Sequence, residues 1–202
     1  MILSILCALA SERCHVTVKV LNSYIYLTFI QRGNEIMVLY DLVLWFFIYS
    51  AYGWFYETIF CSFQAGQFAD RGFFYGPYLP IYGFGALFVI FLLHRRMTKL
   101  QQFFLSLTVT TALEYATSYF LEVIFHKTWW DYTNYYFQLN GRICLVAALL
   151  FGVLGVLLIN YIHPFVKKRT DKITKNMKIV LSCSLSSILF IDFLFSLTKA
   201  FG

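Results

Sequence analysis

The sequence predicts an all-α, polytopic membrane bundle of five transmembrane helices, with a start to the second helix that glycine and proline break. Three observations carry this. Of 202 residues, 60% are hydrophobic and 13% charged, against about 45–50% and about 25% in ordinary soluble domains. Apolar runs recur five times along the chain, each near the length of about 20 residues that a span requires. Lysine and arginine cluster between alternate runs. Spans of that length leave too little chain for a soluble ATPase, kinase or nucleic-acid domain. The formal charge of +6 sits mainly in two short loops, which reads as membrane topology and makes nucleic acid an unexpected partner.

Residues 1–36 differ from the rest. MILSILCALA resembles the start of a signal peptide, but it lacks a basic n-region and its apolar run ends at Ser11, Glu12 and Arg13. The stretch after it carries Lys19, Asn22 and Ser23 and is too polar for a good span. Residues 1–36 therefore read as an N-terminal extension with a mis-assigned start, and residues 37–202 as a single transmembrane domain.

The first span is expected over about 38–62, almost without charge until Glu57. The second, about 77–94, is uncharged from Gly72 to Leu93 but places Gly76, Pro77, Pro80, Gly83 and Gly85 in its first half. Proline removes a backbone donor and glycine lowers helix propensity. One reading is a broken or re-entrant start, tolerated only when buried in protein or lining a cavity; the other is a loop ending at Pro80 with a plain helix after it. Gly83-x-Gly85 is not a nucleotide fingerprint, since no βαβ unit surrounds it. In the third span, about 103–126, Thr111, Glu114, Tyr115, Ser118 and Glu122 fall within an arc of roughly 100°. That stripe must face protein or water. The fourth, about 143–163, offers Gly152 and Gly155 as a face for close helix packing. The fifth, about 179–198, carries Asp192 after a serine-rich half.

Basic residues set the expected orientation. Arg95, Arg96 and Lys99 follow span two, and Lys167, Lys168, Arg169, Lys172, Lys175 and Lys178 follow span four. The other two loops hold only Arg71, Lys127 and Arg142. The positive-inside rule then makes loops 95–102 and 164–178 cytoplasmic and puts the C-terminus outside the cell membrane.

A carboxylate at a helix centre costs about 2.5–3.5 kcal/mol on insertion scales, so several in one small bundle call for an explanation. Glu57, Glu114, Glu122 and Asp192 all lean towards the outer side, where the loops bring Arg71, Asp131 and Arg142. The functional reading is an outward-facing polar chamber on a substrate or ion pathway, built from Glu57, Arg71, Glu114, Glu122, Asp131 and Arg142. Glu114, the deepest, is a candidate proton carrier. The structural reading is a set of ion pairs that lock helices to loops. Trp129, Trp130, Tyr132, Tyr135 and Tyr136 read as an interfacial aromatic belt. His94, His126 and His163 sit at span ends without metal-ligand spacing, so neither a metal nor a cofactor is expected. The five cysteines contain no CxxC and indicate neither a disulfide framework nor a zinc site, although a Cys61–Cys144 pair is conceivable.

Several strings occur in order between about 42 and 165. They are Gly53-Trp54-Phe55-Tyr56-Glu57, Arg71 to Pro77 followed by Pro80-Ile81-Tyr82-Gly83, Leu113-Glu114-Tyr115, Leu121-Glu122 with Trp129-Trp130-Asp131-Tyr132, and Asn140-Gly141-Arg142-Ile143. Together they resemble the CmpB family of bacterial ABC-transporter permeases. Asp70, where asparagine is expected, and Gln138, in a stretch usually written with asparagine, depart from the pattern. The resemblance implies a permease-like transport subunit that is not an enzyme, with Gly72, Gly76, Pro77, Pro80, Gly83, Trp129, Trp130, Asn140 and Gly141 as structural motif residues. The chain has no Walker motif, so ATP hydrolysis would belong to a separate ATPase subunit. Its basic loops carry no coupling-helix motif. Three functions stay open: a transport subunit, with a homo-oligomer as one arrangement; a membrane module that captures a solute for a separate energising complex; and an intramembrane enzyme acting on lipid or cell-wall precursors, with Glu57 or Glu122 as acid or base and the arginines as phosphate clamps.

Overall fold

The computed structural model describes residues 37–63, 65–68, 72–93, 95 and 97–201. The expected extension 1–36, together with Asp70, Arg71, His94 and Arg96, lies outside the described residues. The chain divides into two units, Met1–Tyr40 and Asp41–Gly202, and the second holds the helical bundle.

Among the described residues, five helices occupy the five apolar runs. They are α1 (Met37–Phe63), α2 (Pro80–Leu92), α3 (Lys99–Phe125), α4 (Leu145–Thr170) and α5 (Lys175–Phe201). Three of these stretches are long and apolar enough to cross a membrane: Met37–Phe63, Leu145–Thr170 and Lys175–Thr198. α2 is apolar but has 13 residues, about 20 Å at 1.5 Å per residue against a hydrocarbon core of about 30 Å. α3 has the length, at 27 residues, but its polar stripe lowers its hydropathy.

α2 begins at Pro80, where a missing N–H costs the helix nothing. Gly83 and Gly85 lie inside it without interrupting it, and the non-helical backbone before it covers 72–79. The Thr98 side chain and Gln101 form a reciprocal cap at the start of α3. Between α3 and α4 the chain forms a small antiparallel hairpin, β1 (Gln138–Leu139) with β2 (Ile143–Cys144), paired Gln138 to Cys144 and Leu139 to Ile143.

The loop expected at 164–178 is mostly helix. α4 passes through a π-helical turn at Leu158–Ile162 and runs on to Thr170, where Lys167, Lys168 and Arg169 suit the negative end of the helix dipole. Lys178 is not a solvated loop residue either. It lies in the first turn of α5, 5% exposed, and pairs with Asp41 of α1 at 2.5 Å.

The faces that α3 and α5 turn inward are polar, while an apolar core of Tyr49, Val89, Leu93, Leu158, Ile159 and Val166 lies among α1, α2 and α4. The buried residues of α3 are Gln102, Ser106, Glu114 and Ser118, while Leu100, Phe104, Phe120, Val123 and Ile124 face outward. On α5, Lys178, Ser182 and Ser196 are buried and Val180, Ile188, Phe190, Ile191 and Phe195 are exposed. Lipid accepts the apolar side chains, so polar groups gain most by meeting one another. Small residues let these faces approach. A methyl group on Gly155 would overlap the Ser106 side chain, and one on Gly152 would come within 2.6 Å of the Phe103 ring, which makes the α3–α4 seam the small-residue face that the sequence places there. Gly83 of α2 lies as close to Ser50 and Phe46 of α1.

Candidate functional site

Four elements bring two carboxylates and two phenols together. On α1, Gly53 leaves room for the Tyr82 ring of α2, which a Cβ there would overlap. Glu57 lies one helical turn further along the same face, and the Tyr82 hydroxyl donates to its carboxylate. On α3, Glu114 is 6% exposed. Its Oε1 accepts a 3.0 Å hydrogen bond from the Tyr132 hydroxyl, while its buried Oε2 has no hydrogen-bond partner among the described residues. Glu57 stands within electrostatic range of both Glu114 and Tyr132. Burial, and next the adjacent Glu114 charge, push the Tyr132 phenol well above the usual tyrosine range.

The hairpin loop explains how Tyr132 reaches the helix. Asp131 accepts from the Thr133 amide at 2.9 Å and the Thr133 hydroxyl at 3.0 Å, closing a local turn. The Tyr132 amide donates to the Gly141 carbonyl at 2.8 Å. Gly141 has φ +68, and a side chain there would press on Asp131 Oδ1 at 2.8 Å, so glycine answers both constraints. The Trp130 indole donates to the Arg142 carbonyl at 3.0 Å, and the Gly141 amide to Gln138 Oε1 at 2.7 Å. The hairpin and its loop then hold α3 through three side-chain bonds: Tyr132 on Glu114, Asn140 Nδ2 on the Tyr115 hydroxyl at 2.9 Å, and Arg142 Nη2 on Glu122 Oε2 at 2.6 Å. The Arg142 guanidinium also lies 5.5 Å from the Tyr115 ring centre and 5.6 Å from that of Tyr119.

The other loop is held by α5. Asp192 accepts from the Tyr75 amide at 3.0 Å, the Gly76 amide at 2.8 Å, the Ser196 hydroxyl at 3.1 Å and the Tyr78 hydroxyl. Burial, followed by this last bond, raises the Tyr78 phenol. The Leu79 amide donates to the Ser50 carbonyl on α1 at 3.0 Å. Phe73 meets Phe125, Trp129 and Phe193 with ring centres 5.4–6.1 Å apart.

The six residues expected to share a site thus fall into groups. Glu57 and Glu114 are neighbours; Glu122 and Arg142 form a separate ion pair with side chains 42% and 17% exposed; exposed Asp131 shapes the turn that carries Tyr132; and Arg71 lies outside the described residues. Tyr82 and Tyr132 are not among the site residues expected from the sequence, although both stand in the family-like strings. Cys61, Cys144 and Cys183 are free thiols. His126 ends α3 in a left-handed conformation, and His163 is hydrogen-bonded to the Tyr49 hydroxyl at 2.8 Å. No group of three or more metal-binding side chains occurs among the described residues.

No curated protein and no solved structure matches the chain. The CmpB family, described as "Putative ABC-transporter type IV", matches residues 44–197, a stretch that takes in Glu57, Tyr82, Glu114, Tyr132, Arg142 and Asp192. That match extends over most of the chain and adds α5 to the region of motif likeness; the protein belongs to the CmpB family of ABC-transporter-related membrane proteins.

Proposed function

We propose that the chain is a permease-like membrane subunit of a transport system, with five helices in the bilayer and a polar site towards its outer face. In this reading Glu57 and Glu114 handle positive charge, as a cationic solute or a coupling proton, and Tyr82 and Tyr132 hold the two carboxylates in place. Glu122, Arg142 and Asp131 complete the outer end. The subunit is not an enzyme, and a separate ATPase works from the basic end. The observation that supports it best is Glu114, a buried carboxylate with one oxygen bonded and the other without a partner among the described residues. Intramembrane ionisable groups are costly and mark substrate, ion or proton pathways.

The functional test is an untargeted comparison of small solutes in cells that lack the protein, express it, or express Glu57→Gln at equal membrane level. The reading expects at least one solute whose distribution depends on the wild-type chain and not on the variant. Identical profiles for wild type and Glu57→Gln would count against it. Orientation is tested by Lys172→Cys in a chain whose native cysteines are replaced by serine, where labelling of intact cells by an impermeant maleimide without permeabilisation would reverse the assigned topology.

A further inference from the structure

At the basic end of the bundle, an open groove of about 850 Å³ runs between the end of α2 and the second half of α4. Its construction starts from Pro164. Proline lacks the N–H that would bond the Asn160 carbonyl four residues earlier, and the helix takes up the disruption as the π turn Leu158–Ile162. Arg95 supplies the missing donors: Nε to the Ile159 carbonyl at 3.2 Å and Nη2 to the Asn160 carbonyl at 2.9 Å. Two of the five guanidinium N–H groups are used in this way, which leaves three for another acceptor. Lys167, one turn beyond His163, lines the same groove, and both cations lie within electrostatic range of His163. The rest of the lining is mainly apolar: Ile90, Met97 and Pro164 keep part of their surface, over Leu93 and Ile159, which are 3% and 5% exposed.

We propose that this groove binds an anionic membrane lipid, its phosphate between Arg95 and Lys167 and an acyl chain against the apolar lining. Charge complementarity selects the headgroup. An apolar lining beside the two cations suits a lipid rather than a free anion, and a basic pocket between membrane helices suits an anionic headgroup. The site is separate from the acidic cluster and does not depend on the transport reading.

The test uses the full chain in vesicles of phosphatidylcholine containing trace spin-labelled phosphatidylglycerol or spin-labelled phosphatidylcholine, and measures the motionally restricted fraction of each. The expected result is a preference for phosphatidylglycerol that falls about fivefold in Lys167→Gln and also falls in Arg95→Gln. Arg95→Gln removes bonds that support the π turn, so the exposed Lys167, whose ion pair among the described residues is with Asp171 at 3.1 Å, provides the variant that keeps the fold. Equal restriction of the two lipids would overturn the proposal, as would a preference unchanged in Lys167→Gln. Displacement of the labelled lipid by millimolar inorganic phosphate would make the groove a free-anion site and overturn the lipid assignment too.

Discussion

Tyr132, in a loop outside the helices, donates its hydroxyl to Glu114 of α3 across 3.0 Å, 18 residues away in sequence. The bond ties the hairpin loop to the most buried carboxylate described in the bundle. Removing the donor leaves a buried acceptor without it, at a cost of about 1–3 kcal/mol. Tyr132→Phe should therefore lower the midpoint of thermal unfolding in detergent. It should also flatten the alkaline limb of stability. A phenol whose folded pKa is raised stabilises fully below its unfolded value of about 10 and loses that contribution as pH rises beyond it. Wild type should lose more stability than Tyr132→Phe between about pH 10 and about pH 12, and parallel curves would contradict this.

Arg142 and Glu122 should behave as a unit. Each single change to glutamine removes the 2.6 Å pair; once Arg142→Gln has also removed the contacts with the Tyr115 and Tyr119 rings, Glu122→Gln has no pair left to break. The double variant should unfold at nearly the same temperature as the worse single variant. Fully additive shifts would mean that the contact carries no coupling.

Asp192 should govern the backbone of the 72–79 segment. Asp192→Leu removes the acceptor for the Tyr75 and Gly76 amides, so hydrogen exchange at those two amides should accelerate while α4 stays protected. Unchanged exchange there would show that the loop is held by its aromatic contacts alone.

Gly155→Ala should force α3 and α4 apart at Ser106, an overpacking change of about 1–3 kcal/mol. Adding Ser106→Gly frees the overlapped space and should restore part of the loss. No recovery in the double variant would place the strain elsewhere.

Patterns of hydropathy are legible in the sequence because each is a property of one segment. The apolar runs become helices, the Thr111-to-Glu122 stripe turns its Glu114 and Ser118 inward, and Gly152 and Gly155 form a seam. What stays hidden depends on two segments at once. Tyr132 reads as an interfacial aromatic whether its hydroxyl meets lipid headgroups or a buried carboxylate. Asp192 answers to backbone N–H groups at Tyr75 and Gly76, which side-chain chemistry does not advertise. Lys178 reads as part of a basic loop because nothing local says that Asp41 lies beside it. Depth alone groups Glu57, Glu114, Glu122 and Arg142, whereas the tertiary arrangement separates them into an inner carboxylate–phenol cluster and an outer ion pair.

Under the proposed function, Glu114 serves transport and not packing. Glu114→Gln conserves size and retains an oxygen for the Tyr132 hydroxyl, so its effect on folding should be small. The decisive measurement is the solute profile of cells expressing Glu114→Gln, taken alongside the thermal midpoint of the purified variant. A near-wild-type midpoint with the profile of cells lacking the protein is the expected result; a near-wild-type midpoint with a wild-type profile would contradict the account.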